Sequence, residues 1–135
     1  MSTEITTIVE NEVRNELIYP SLPMDGIYVE TGVFLGGNIA RVQEQADDIK
    51  SNVTVIGVDD FSFSNISHEH FKFVNLPPNL KSYQELVQQS INPKIQLRSG
   101  NSIDVMSQFE NESIDVIFID DNHEYDHVKK LLSII

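Results

Sequence analysis

Apolar residues return along this chain at two different spacings, and the change from one to the other divides it into elements. Ile5, Val9, Val13 and Leu17 recur at every fourth position among Glu and Asn, which predicts a helix with one buried face, and Pro20 and Pro23 end it. Gly26 to Val29 then reads as a first strand, followed after a run of glycines by a helix whose apolar face is Ile39, Val42, Ala46 and Ile49. Val53 to Val58 is apolar or β-branched at most positions, as expected of a strand covered on both faces, and it ends on Asp59 and Asp60. Residues 61–79 follow no period and contain His68, His70, Pro77 and Pro78, so a long loop is expected there.

Tyr83, Leu86, Val87, Ser90 and Ile91 restore a helical face, which Asn92 and Pro93 close. A short third strand begins at Ile95 and finishes before Gly100. Asn101 or Ser102 can cap the next helix, with Ile103, Met106 and Phe109 on its inner side. Ile114 to Ile119 is the strongest strand pattern, and after Asp120, Asp121, Asn122 and His123 a last helix presents Tyr125, Val128, Leu131 and Leu132.

Strands alternating with helices predict an α/β, Rossmann-like parallel sheet with helices on both faces. A switch point beside the first strand gives the order 3-2-1-4 and places ligands at the carboxyl ends of the strands. Two consecutive strands end on acids at that edge. The first is followed by Glu30-Thr31-Gly32-Val33-Phe34-Leu35-Gly36-Gly37-Asn38, a strand, tight loop and helix start. There glycines let a polar or anionic group approach backbone N–H groups closely. The fourth strand is apolar on both faces yet would lie at the rim, an exposed edge that proteins usually cover; a homodimer in which fourth strands meet is one arrangement that would cover it.

Composition narrows the partners. The 135 residues are expected to form a single domain, with 1–22 as a leading helix and 26–135 as the core. Nine basic residues against 21 acidic ones give a formal charge of −12, which opposes binding to nucleic acid or an anionic membrane surface. No apolar run approaches the roughly 20 residues of a membrane helix. The chain has no cysteine, so disulfides and thiolate metal sites are excluded, and Met1-Ser2-Thr3-Glu4 lacks a signal-peptide pattern; a cytoplasmic location is the expectation.

Four motifs come in a familiar order: Val29 to Asn38, Gly57-Val58-Asp59, Gly100-Asn101-Ser102, and Ile119-Asp120-Asp121-Asn122-His123-Glu124-Tyr125. In order and spacing they resemble class I S-adenosylmethionine-dependent methyltransferases, closest to the small-molecule and sugar O-methyltransferase-like branch, over residues 26–132. The resemblance implies that Glu30 and the backbone around Gly32 and Gly36 hold the methionine part of S-adenosylmethionine. It implies that Asp59 accepts hydrogen bonds from the ribose hydroxyls. Asn101, with Ser102 beside it, stands where the family often places an Asp on the adenine amino group. Asp120 would face the sulfonium methyl, where metal-dependent members place a magnesium ligand or a general base, and His123 is the next candidate for removing a proton from a substrate hydroxyl. A small hydroxylated molecule is the implied methyl acceptor. Family members usually continue with a fifth strand, a helix and a hairpin, so this chain reads as the front part of such a domain; a cofactor-binding module without turnover is the alternative.

Two other motifs compete with this reading. His123-Glu124-Tyr125-Asp126-His127 matches the H-E-x-x-H of zinc proteases, but only eight residues follow His127, too few for a third ligand well downstream. The glycine loop lacks the Gly-x-Gly-x-x-Gly of dinucleotide binders, which argues against an NAD enzyme.

Overall fold

In a computed structural model the described residues are 9–33, 36–60, 87–89, 91–109, 113–120 and 125–134. Their four strands, β1 (Ile27–Thr31), β2 (Thr54–Asp59), β3 (Gln96–Ser99) and β4 (Val116–Ile119), form one parallel sheet in the order β3-β2-β1-β4. This is the Rossmann-like order expected from the alternation of strands and helices. β1 runs two residues beyond the expected Val29, because Glu30 and Thr31 stay in register with Gly57 and Val58 on one side and with Phe118 and Ile119 on the other. Ladder bonds are made by the backbone, so polar side chains do not end a central strand.

The period-2 rule separates two cores. Tyr28, Val55, Leu97, Val116 and Phe118 point to one face, where they pack with Ile39, Val42 and Ala46 of helix α2 (Gly37–Asp48), with Ile18, and with Val87 and Ile91. Val29, Ile56, Val58, Ile117 and Ile119 point to the other, against Val105 and Met106 of helix α3 (Ser102–Met106). Helix α4 (Tyr125–Ile134) packs beside α3. Among the described residues no helix is long and apolar enough to cross a membrane.

The leading segment departs from the expected wheel. A short helix, α1 (Asn11–Val13), passes into a π-helical turn over Arg14–Ile18 and a 3-10 turn over Tyr19–Ser21. The Tyr19 N–H bonds to the Arg14 carbonyl five residues back, so the turn is wider than an α-helical one. The widening moves Leu17 out to 66% exposure and brings Arg14 and Ile18 to the buried side, a correction to the expected place of Leu17, while Val13 packs against the core as expected. Ile49 is also exposed in part, since α2 stops at Asp48 and Lys50 closes it with φ 58°. Leu132, expected on the inner face of α4, is exposed.

Gly57 positions the first loop. A Cβ there would lie 2.8 Å from Val33 Cγ2, 2.9 Å from Ile39 Cδ1 and 2.9 Å from Leu97 Cδ2, so its absence lets the residue after Gly32 and the first turn of α2 settle on the sheet. Gly57→Ala is expected to destabilise the fold by roughly 1–3 kcal/mol through overpacking. A urea midpoint unchanged from wild type would show that these three side chains move aside without cost.

Candidate functional site

The carboxyl ends of β1, β2 and β4 carry the chain's polar chemistry, and three backbone contacts tie their loops together. Gly32, with φ 83°, donates its N–H to the Val58 carbonyl at 2.9 Å, extending the β1–β2 pairing past the end of β1. The Asp59 carbonyl accepts the Gly100 N–H at 3.0 Å, which brings the β3 loop alongside β2. The Thr31 carbonyl accepts the Asp120 N–H at 2.9 Å, which fixes the first residue after β4 against β1.

Asp59 holds the glycine loop with its side chain as well. Its Oδ2 accepts the N–H of Val33 at 2.8 Å, and Val33 is almost fully buried, so without this acceptor a buried donor would be unsatisfied. Beyond Val33 the chain returns at Gly36, whose φ of 90° allows it to serve as the N-cap of α2; its N–H bonds to the Val33 carbonyl at 3.0 Å, and its own carbonyl accepts from Ala40 at 3.0 Å. The positive end of α2 therefore faces the same edge as the two acids.

Glu30 is the most unusual group of the site. It is 1% exposed, and its Oε1 accepts hydrogen bonds from the Tyr28 hydroxyl at 3.0 Å and from Asn38 Nδ2 at 2.6 Å. Burial disfavours the charged form and pushes the carboxyl from 4.5 up to about 8, while the hydrogen bonds from Asn38 and Tyr28 oppose the shift, the Asp120 charge adds to it and Arg14 opposes it. The Tyr28 hydroxyl is raised well above its usual value, mainly by burial and then by the Glu30 charge. At neutral pH Glu30 is thus largely protonated, and a cation brought beside it would favour ionisation.

Glu30, Gly32, Gly36, Asp59 and Asp120 therefore meet at one edge of the sheet. Asn101 and Ser102 lie at the third corner, after Gly100. Asn101 is exposed and caps α3, its Oδ1 accepting from the Ile103 N–H at 2.9 Å, whereas Ser102 is buried. His123 lies outside the described residues, as do Phe34, Leu35, His68 and His70. Among the described residues no group of three or more His, Asp or Glu side chains is arranged to hold a metal ion.

Sequence reasoning did not assign roles to Tyr28, Asn38 or Arg14, which surround Glu30. Asn38 carried a signal, since a residue of low helix propensity stands at the second position of α2 directly after two glycines. Arg14 carried none, because an α-helical wheel places it off the apolar stripe.

A family profile described as a methyltransferase domain matches residues 29–135, from the middle of β1 onward. No curated protein matches the chain.

Proposed function

The chain belongs to the class I S-adenosylmethionine-dependent methyltransferases, and from that premise we propose that it transfers a methyl group to a hydroxyl oxygen of a small molecule. The observation that carries the reading is the convergence of Asp59, Glu30 and the amino end of α2 on one edge, tied to the glycine loop by the Asp59–Val33 hydrogen bond. This donor set fits the cofactor's chemistry. Asp59 offers a two-oxygen acceptor to a pair of ribose hydroxyls. Glu30 offers a buried carboxyl whose ionisation an ammonium group would favour. The N-terminus of α2, freed of side chains by Gly36 and Gly37, suits the cofactor's carboxylate. Asn101 retains an amide for the adenine edge.

When bound, S-adenosylmethionine supplies an electrophilic methyl carbon on a sulfonium sulfur. The protein's task is then to hold the acceptor hydroxyl in line with that carbon and to take its proton. Asp120, fixed through its N–H to Thr31 at the end of β1, is the base we assign to this step, with His123 as the second candidate. Asp120 would take the hydroxyl proton as the acceptor oxygen receives the methyl group, and S-adenosylhomocysteine would leave as the product. No step is assigned to a metal.

The reading is tested by calorimetric titration with S-adenosylmethionine and S-adenosylhomocysteine, followed by methyl transfer to a panel of small hydroxylated acceptors. Saturable binding of both and transfer to oxygen are expected. Failure to bind either compound would overturn the cofactor assignment, and transfer only to nitrogen or carbon would overturn the choice of oxygen.

A further inference from the structure

Arg14 lies outside the residues matched by the family profile, yet it reaches into the site. It is 3% exposed, and its guanidinium donates to the Val9 carbonyl at 2.8 Å, to Asn11 Oδ1 and to Asn38 Oδ1 at 3.3 Å. A guanidinium has donors only, so the Asn38 oxygen must face it and the Asn38 NH2 must face the other way. That NH2 donates to Glu30 Oε1 at 2.6 Å, and the Tyr28 hydroxyl donates to the same oxygen at 3.0 Å. Every proton in the series Arg14, Asn38, Glu30 therefore points in one direction, toward the carboxyl.

We propose that Arg14 is a positioning residue for the cofactor: by fixing the Asn38 amide it keeps Glu30 a hydrogen-bond acceptor for the ammonium group of the methionine end. The inference rests on the reading of Glu30 given under the proposed function. Without the guanidinium only Glu30 orients the amide, and a protonated carboxyl accepts either orientation. Turned over, Asn38 presents an oxygen to Glu30, and the carboxyl has to hold a proton and donate it, which leaves it a poor partner for a cation. The π-helical turn serves this arrangement, since it is what places Arg14 beside Ile18 on the buried side. The leading segment is then part of the cofactor site rather than a cover over the sheet.

The test compares two ligands: S-adenosylhomocysteine, which carries the amino-acid end, and 5′-methylthioadenosine, which has the adenosine and thioether but no amino acid. In Arg14→Met the affinity for S-adenosylhomocysteine is expected to fall about 10- to 100-fold, the equivalent of one hydrogen bond to a charged group, while that for methylthioadenosine stays within about twofold. Arg14→Lys, which keeps a donor-only cation but not the guanidinium fork that also reaches Val9 and Asn11, is expected to recover part of the loss. Should Arg14→Met fail to fold, Asn38→Ala interrupts the same series and is expected to give the same split. Parallel loss of both ligands in a folded variant would mean that Arg14 only supports the fold, and no loss of either would mean that the amide is held by other means. Both results overturn the inference while wild-type binding stands; a wild-type protein that binds neither ligand overturns the proposed function itself, and this inference with it.

Discussion

Asp59→Ala is expected to weaken S-adenosylmethionine binding by about 100-fold or more, since two hydrogen bonds to an ionised acceptor are lost at about 1.5–3 kcal/mol each. The same change also removes the acceptor of the buried Val33 N–H, which is expected to cost the fold about 1–3 kcal/mol. The two effects are separable with Asp59→Asn. Its amide oxygen can still accept from Val33, so stability should largely return, but its NH2 cannot accept from a second hydroxyl, so binding should recover only in part. Titration calorimetry read beside urea unfolding distinguishes them. If Asp59→Ala folds and binds the cofactor as wild type does, Asp59 serves the loop alone and the ribose contact must be assigned elsewhere.

That double duty marks the boundary of what was legible in the chain. The sheet and its order could be read because β1, β2 and β4 are largely apolar or β-branched runs that end near a glycine or an acid, while β3, with Leu97 alone apolar among Gln96, Arg98 and Ser99, was marked only by Ile95 before it and Gly100 after it. The acids at the edge could be read for the same reason, since their positions follow directly from where the strands stop. What Asp59 does inside the protein could not be read: its bond to Val33 joins residues 26 apart, and no local spacing encodes it. The leading segment failed in a different way. Its apolar residues fit a four-residue repeat, but one π-helical turn was enough to exchange Leu17 for Ile18 and to carry Arg14 inside. A wheel assumes a constant pitch, and a buried cation is a poor guess from sequence because burying one is costly unless its partners are already known.

Glu30→Gln tests the centre of the site. Between 4.5 and about 8 the folded protein holds a proton on Glu30 that the unfolded chain has released, so stability falls as pH rises across that window, is unaffected by this group below it, and bears the full cost above it. At about 1.4 kcal/mol per pH unit the cost by pH 8 is roughly 3–5 kcal/mol. The groups facing Glu30 are the Tyr28 hydroxyl and the Asn38 amide on Oε1, with Asp120 raising and Arg14 lowering its affinity for the proton. Glutamine keeps the shape and an oxygen able to accept from both Tyr28 and Asn38, but it does not titrate. Glu30→Gln is therefore expected to match wild type near pH 4.5, to be more stable by a few kcal/mol at pH 8, and to show a flatter stability–pH profile between. Cofactor binding should change in the opposite direction. In wild type at pH 7 the ammonium group of the cofactor ionises Glu30, so binding is expected to release close to one proton, measurable as a dependence of the calorimetric heat on the buffer's ionisation enthalpy. The glutamine variant should bind about 10- to 100-fold more weakly, through loss of a charged partner, and without that release. If proton release persists in Glu30→Gln, the group that answers the cofactor's ammonium is another one, with Asp120 first to be examined. If the two stability profiles run parallel from pH 5 to 8, Glu30 is ionised in the folded protein, and the cost of burying it is being met by the donors that Arg14 holds in line.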